Sequence, residues 1–131
     1  MGNYSFQDYV KDALRTESVV NIVVDPYSTE VRTAPSRLLH AAIGLTTESG
    51  ELIDALKKHI FYGKPLDTVN LKEELGDLLW YVAIAMDALK LDPSDVMLTN
   101  VNKLRTRYPE KFNSEQAVNR NLEAERETLE Q

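Results

Sequence analysis

Two acidic pairs hold most of the chemistry available to this sequence: Glu48-Ser49-Gly50-Glu51 and Glu74-Leu75-Gly76-Asp77, each with two carboxylates three positions apart. In a helix, where every residue turns by about 100°, positions i and i+3 return to within roughly 60° and lie one turn apart. Each pair therefore projects from one side of its helix. Four ionised carboxylates gathered within a few ångströms repel one another, by about 1 to 4 kcal/mol per pair at roughly 4 Å. A hard divalent cation offsets that repulsion, and Mg²⁺ in particular is held by a few carboxylates while it shares its other positions with water and substrate phosphates. Mn²⁺ is the alternative ion. Cysteine is absent from the chain, which closes off a thiolate metal site, a disulfide framework and a cysteine nucleophile together. No serine or histidine arrangement for covalent catalysis is apparent.

The elements that must position these acids are helices. Apolar periodicity dominates from about Thr33 onward, and Gly and Pro punctuate it into three long helices and a tail. The second helix is expected from Thr33 or Pro35 to Phe61, stopping before Gly63-Lys64-Pro65, and the third from Thr68 to Lys90. Asp92-Pro93 restarts the chain with an N-cap and a proline at the first helical position, and that fourth helix ends at Tyr108-Pro109. Ahead of these, Ser5 to Thr16 reads as a first amphipathic helix behind a Ser5 N-cap. The β-branched run Val19 to Val24 fits a short strand, a buried helical extension or an apolar loop, and Asp25-Pro26-Tyr27-Ser28 reads as a turn. The fold class is all-α, a bundle of four to five helices. Residues 1–112 are expected to form one domain and 113–131 a charged tail or loosely packed helix.

An acidic pair on a helix is by default a solvated face. Here both pairs sit at the same offset beside an apolar stripe: Leu38, Leu45, Leu52, Ile53 and Leu56 on the second helix, and Leu71, Leu75, Leu78, Val82 and Leu89 on the third. The short connection from Phe61 to Asp67 makes the two helices antiparallel neighbours, and packing the stripes together brings Glu48, Glu51, Glu74 and Asp77 to one place. Small residues Ala41, Gly44 and Ala55 on the acidic side leave room for a ligand.

Glu-x-x-Glu followed, after positions 52–73, by Glu-x-x-Asp resembles the signature of the all-α nucleoside triphosphate pyrophosphohydrolases of the MazG type. The surrounding words match as well: Leu45 to Leu52, Lys57-Lys58, Glu73 to Tyr81, and Asn102-Lys103-Leu104 with Arg107-Tyr108-Pro109, so the similarity covers roughly Leu38 to Phe112. The resemblance implies a MazG-like bundle in which Glu48, Glu51, Glu74 and Asp77 are both catalytic and metal-binding. It also implies a Mg²⁺-dependent cleavage of a nucleoside triphosphate to the monophosphate and pyrophosphate, in nucleotide-pool house-cleaning. On the fourth helix it assigns Lys103 and Arg107 to the β- and γ-phosphates, with Asn100 in support. Lys58, near the side of Glu51, is a further candidate phosphate contact, whereas Lys57 points away. Tyr81, one turn past Asp77, is a candidate for stacking on the base; Trp80 is read as a core or interface aromatic. His40 is too far along the helix axis to share the metal.

Other classes fit less well. A ferritin-like di-metal bundle needs Glu-x-x-His pairs, and neither His40 nor His59 follows a glutamate by three positions. A net charge of −6 without a long basic run argues against a nucleic-acid polymer as partner. No run approaches the ~20 apolar residues needed to cross a membrane, and the first ten positions lack the pattern of a signal peptide, so the expected address is the cytoplasm. The alternative to an enzyme is a non-catalytic helical module of the same fold that binds nucleotide or metal or serves in assembly. A homodimer or homotetramer is expected, because two long helices with one polar edge and one broad apolar stripe are hard to bury in a single small bundle, and because the resemblance implies it.

Overall fold

The computed structural model describes residues 2–18 and 34–131; the Val19–Val24 segment and the turn expected at Asp25 lie outside them. Among the described residues there are six helices and no strand: α1 (Phe6–Leu14), α2 (Ala34–Tyr62), α3 (Thr68–Ala88), α4 (Pro93–Arg107), α5 (Ser114–Val118) and α6 (Leu122–Leu129). The all-α class stands, and the count exceeds the expected four to five because the charged tail folds into two short helices.

Local chemistry sets the helix ends. Ser5 and Asp8 form a reciprocal capping box at α1, so two backbone N–H groups that the helix itself leaves unpaired are received by side chains. Asp67 caps α3 by accepting from the N–H groups of Val69 and Asn70, and Asp92 caps α4 ahead of Pro93. At the end of α2 the chain reverses through Gly63 at φ 64°, a left-handed conformation that a Cβ disfavours, while the Lys64 N–H reaches back to the Lys58 carbonyl at 3.2 Å.

The chain forms two compact units, Met1–Lys90 and Leu91–Gln131. In the first, α2 and α3 are antiparallel partners. Contacts that ascend α2 descend α3: Arg37 meets Asp87 at 2.7 Å, Gly44 faces the ring of Tyr81, and Glu48 faces Glu74 and Asp77. On α2 the facing positions are 37, 41, 44 and 48, and on α3 they are 74, 77, 81, 84 and 88, the alternating spacing of three and four that one helix offers to another. Ala41, Gly44, Ala83, Ile84 and Ala88 are buried on or beside this seam. Of the apolar stripes expected from the sequence, Leu38, Leu45, Leu52, Leu71, Leu78 and Val82 are half-buried while Ile53 (64% exposed), Leu56, Leu75 (54%) and Leu89 are exposed. On α2 the seam thus follows small residues. Close backbone approach is the reason: an ideal Cβ on Gly44 would fall 2.1 Å from the Tyr81 ring, so only glycine admits that ring against α2.

Helix α1 lies on α3 through polar anchors. The indole N–H of Trp80 donates to the Ala13 carbonyl at 3.1 Å and to the Thr16 hydroxyl at 2.8 Å, and the Tyr9 hydroxyl donates to the Gly76 carbonyl at 3.2 Å. Arg37 grips Glu17 through Nε and Nη2 at 2.8 and 2.9 Å, joining the chain after α1 to the start of α2.

In the second unit α6 packs on α4. Glu125, only 3% exposed, receives both Arg107 and Arg120, and the hydroxyls of Thr106 and Thr128 meet at 3.0 Å. Among the described residues no helix is long and apolar enough to cross a membrane.

Candidate metal centre

The α2–α3 seam ends in carboxylates. Glu48, Glu74 and Asp77 each offer an oxygen, and the three atoms lie within 4.8 Å of one another. Glu74 is the deepest, 7% exposed; Glu48 is half-buried and Asp77 exposed. The i, i+3 spacing on α3 puts Glu74 and Asp77 on the side that faces α2, and position 48 is the next seam position of α2 after Gly44.

Among the described residues no ion pair joins Glu48, Glu74 or Asp77 to a basic side chain. Loss of hydration raises the proton affinity of Glu48 above the ordinary carboxylate value, and the charges of Asp77 and Glu74 raise it further, followed by a hydrogen bond shared with Glu74 and the charge of Glu51. Three oxygen donors at this spacing, with their mutual repulsion unrelieved, fit a hard divalent cation. Glu51 stands outside the tight group. It is exposed, one turn further along α2, and acts on Glu48 through its charge.

Asn70, which sequence reasoning passed over, donates its side-chain amide to Oε1 of Glu74 at 2.7 Å. The signal was an i, i+4 pairing of amide and carboxylate in the first turn of α3.

Tyr81 closes the group on its inner side. Its ring lies on Gly44 and meets His40 and Trp80 edge to face, with centroids 5.6 and 4.9 Å away. Burial lifts the proton affinity of its hydroxyl, and the charges of Glu48 and Asp77 add to that. His40 also meets Trp80 edge-on at 6.1 Å, and its Nδ1 is buried without a hydrogen-bond partner among the described residues.

Of the basic residues singled out from the sequence, Lys58 and Arg107 have acidic partners of their own. Lys58 is paired with Asp54 at 2.7 Å, and so is Lys57 at 2.6 Å; these two ammonium groups hold the Asp54 carboxyl down to about 2. The spacing of i, i+3 and i, i+4 on α2 made that pairing readable in advance.

In the second unit, Arg107 donates through Nε and Nη2 to the two oxygens of Glu125 at 2.8 and 2.7 Å. That bidentate pair, together with Arg120, keeps the Glu125 carboxyl well below the usual range. A cavity of about 220 Å³ beside it is lined by Thr106, Arg107, Gln116, Asn119, Asn121 and Glu125. Nothing in the sequence tied Glu125 to Arg107, because eighteen positions separate them. Lys103 is half-buried and Asn100 exposed on α4.

A sequence profile described as "MazG nucleotide pyrophosphohydrolase domain" matches residues 38–112. That stretch contains the whole acidic group and all of α4. The Gene 37 protein of Mycobacterium phage L5 is 35% identical over 74 residues, which cover 53% of this chain and 65% of that protein, just under two thirds of its length. No solved structure matches the chain.

Proposed function

We propose, since the chain belongs to the MazG nucleotide pyrophosphohydrolase family, that it hydrolyses nucleoside triphosphates, ribo- or deoxy-, to the monophosphate and pyrophosphate with Mg²⁺ or Mn²⁺. The observation that carries this reading is the convergence of Glu48, Glu74 and Asp77 within 4.8 Å at the end of the α2–α3 seam, with no basic side chain among the three. These carboxylates would hold the cation. When bound, the cation supplies Lewis-acid polarisation of the α-phosphoryl group and offsets the charge of the departing pyrophosphate. In the reaction a water oxygen bonds to the α-phosphorus and the bridging α–β P–O bond breaks. The water's proton passes to a carboxylate, a role assigned to Glu51, which is exposed and lies outside the tight trio.

Lys103 and Arg107 are assigned to the triphosphate, with Asn100 in support. Because the Nε and Nη2 edge of Arg107 is on Glu125, phosphate would meet Nη1. Lys58 exchanges its Asp54 partner for phosphate in this reading. Tyr81, on the inner side of the acids, borders the base. Removal of non-standard nucleotides from the cellular pool is the role that such a reaction serves, in the cytoplasm, where its substrates are.

A panel of ribo- and deoxynucleoside triphosphates, read by pyrophosphate release with Mg²⁺, tests the activity and finds the preferred base. The variants Glu48→Gln, Glu74→Gln and Asp77→Asn are each expected to lose about a hundredfold or more in turnover together with divalent-ion affinity. Glu51→Gln is expected to lose turnover while keeping most of that affinity. Retention of turnover in the three trio variants would sink the assignment, and binding of Mg²⁺ and nucleotide without turnover in the native chain would return it to the non-catalytic module.

A further inference from the structure

We propose that Asn70 is the positioning residue of the acidic centre, fixing the Glu74 carboxylate in the orientation that meets Glu48 and Asp77. The inference rests on the reading of that trio as a cation site. Asn70 occupies the third position of α3, and its backbone N–H is already received by Oδ1 of Asp67 at 3.0 Å. Side chains at this position often turn back to the cap to complete a reciprocal box. This one runs forward a turn instead, and its amide donates to Oε1 of Glu74 at 2.7 Å.

The chemistry of that choice is informative. Glu74 is 7% exposed, so its ionised carboxylate needs a donor to replace lost water. A lysine or arginine would satisfy it but would also cancel the charge on which a cation depends. A neutral amide gives one hydrogen bond and leaves the full negative charge in place. It also removes a freedom: the last torsion of glutamate is broad and roughly two-fold, and holding Oε1 sets the direction of the second oxygen. Partners of this kind, behind a metal ligand, orient it without touching the ion.

The test is Mn²⁺ binding to the full chain without nucleotide, followed by the electron paramagnetic resonance of the free ion. Asn70→Ala is expected to weaken binding about 10- to 100-fold. Asn70→Gln, which keeps an amide donor on a longer arm, is expected to recover part of the loss. Glu74→Gln serves as the reference for losing the ligand itself. Asn70 lies in the half-exposed first turn of α3, so circular dichroism of Asn70→Ala is expected to match the parent and to exclude unfolding as the cause. If Asn70→Ala binds Mn²⁺ within about twofold of the parent while Glu74→Gln does not, the positioning role is wrong and the centre stands. If both bind like the parent, Glu74 is not a ligand and the positioning role falls with it.

Discussion

Glu125 and the acidic trio are opposite solutions to the same problem of a carboxylate taken from water. In the trio, carboxylates face one another and burial adds to their repulsion, so Glu48 holds its proton more tightly than an exposed glutamate. Glu125 instead receives two guanidiniums, Arg107 at 2.7 Å and Arg120 at 2.6 Å, and its proton affinity falls. The lowered value has a definite sign in stability. It contributes stability that is present above the unfolded carboxylate pKa of about 4.3 and is lost as pH falls through that range towards the folded value. Hydrogen exchange at the α6 amides, corrected for intrinsic rates, is therefore expected to be slow at neutral pH and to accelerate below about pH 4. Glu125→Gln is expected to give the faster exchange already at neutral pH, with little further change on acidification. An α6 as protected in the variant as in the parent would show that packing alone secures it.

Helices α2 and α3 work as one element because a single seam does both structural and chemical work. Arg37 and Asp87 close one end, Gly44 and Tyr81 the middle, and the acids the other end, all at helical spacing. A change in the middle is therefore felt at the acids. Alanine is the better helix former by about 1 kcal/mol, yet Gly44→Ala puts a methyl 2.1 Å from the Tyr81 ring. Displacing the ring costs about 1 to 3 kcal/mol in a packed interior, so the net expectation is a lowered Tm and weaker divalent-ion binding. A second substitution, Tyr81→Leu, offers a test of cause: thermal unfolding of the double variant should show the alanine penalty reduced. A Gly44→Ala chain more stable than the parent would mean that Tyr81 does not lie on α2 in solution.

On the scale of the whole molecule, large apolar side chains lie on the described surface. The buried hydrophobic residues described are Ala13, Ala41, Ala83, Ile84 and Ala88, four of them alanine, whereas Leu39, Ile43, Ile53, Leu56 and Ile60 on α2 are exposed. Ile53 and Ile60, 64% and 65% exposed, lie two turns apart on one side of α2, about 140° round the helix from the seam. A patch of this kind marks an interface, and a homodimer or homotetramer is the expected assembly. Light scattering after size exclusion should return two or four times 14.9 kDa, and the pair Ile53→Glu with Ile60→Glu should move it towards a single chain. A native chain running at the mass of one copy would count against it.

Much of this protein could be read from its sequence. Caps and stops act over a few residues, so the described helices begin and end within two or three positions of where Ser5, Gly63, Asp67 and Asp92-Pro93 put them. The i, i+3 spacing of Glu74 and Asp77, and the short link from Tyr62 to Asp67 that turns α3 back along α2, are equally local, which is why the sequence already groups Glu48, Glu74 and Asp77. What tertiary structure alone decided depends on which faces meet. On α2 small residues, Ala41 and Gly44, form the seam and let the Tyr81 ring of α3 come against the helix, while Leu75 is left exposed. Likewise, the partner of Arg107 is Glu125, a residue remote in sequence that only the folding of the charged tail onto α4 brings within reach. Of the four carboxylates that the sequence groups together, packing draws in Glu48, Glu74 and Asp77 and leaves Glu51, exposed one turn further along α2, outside the tight group.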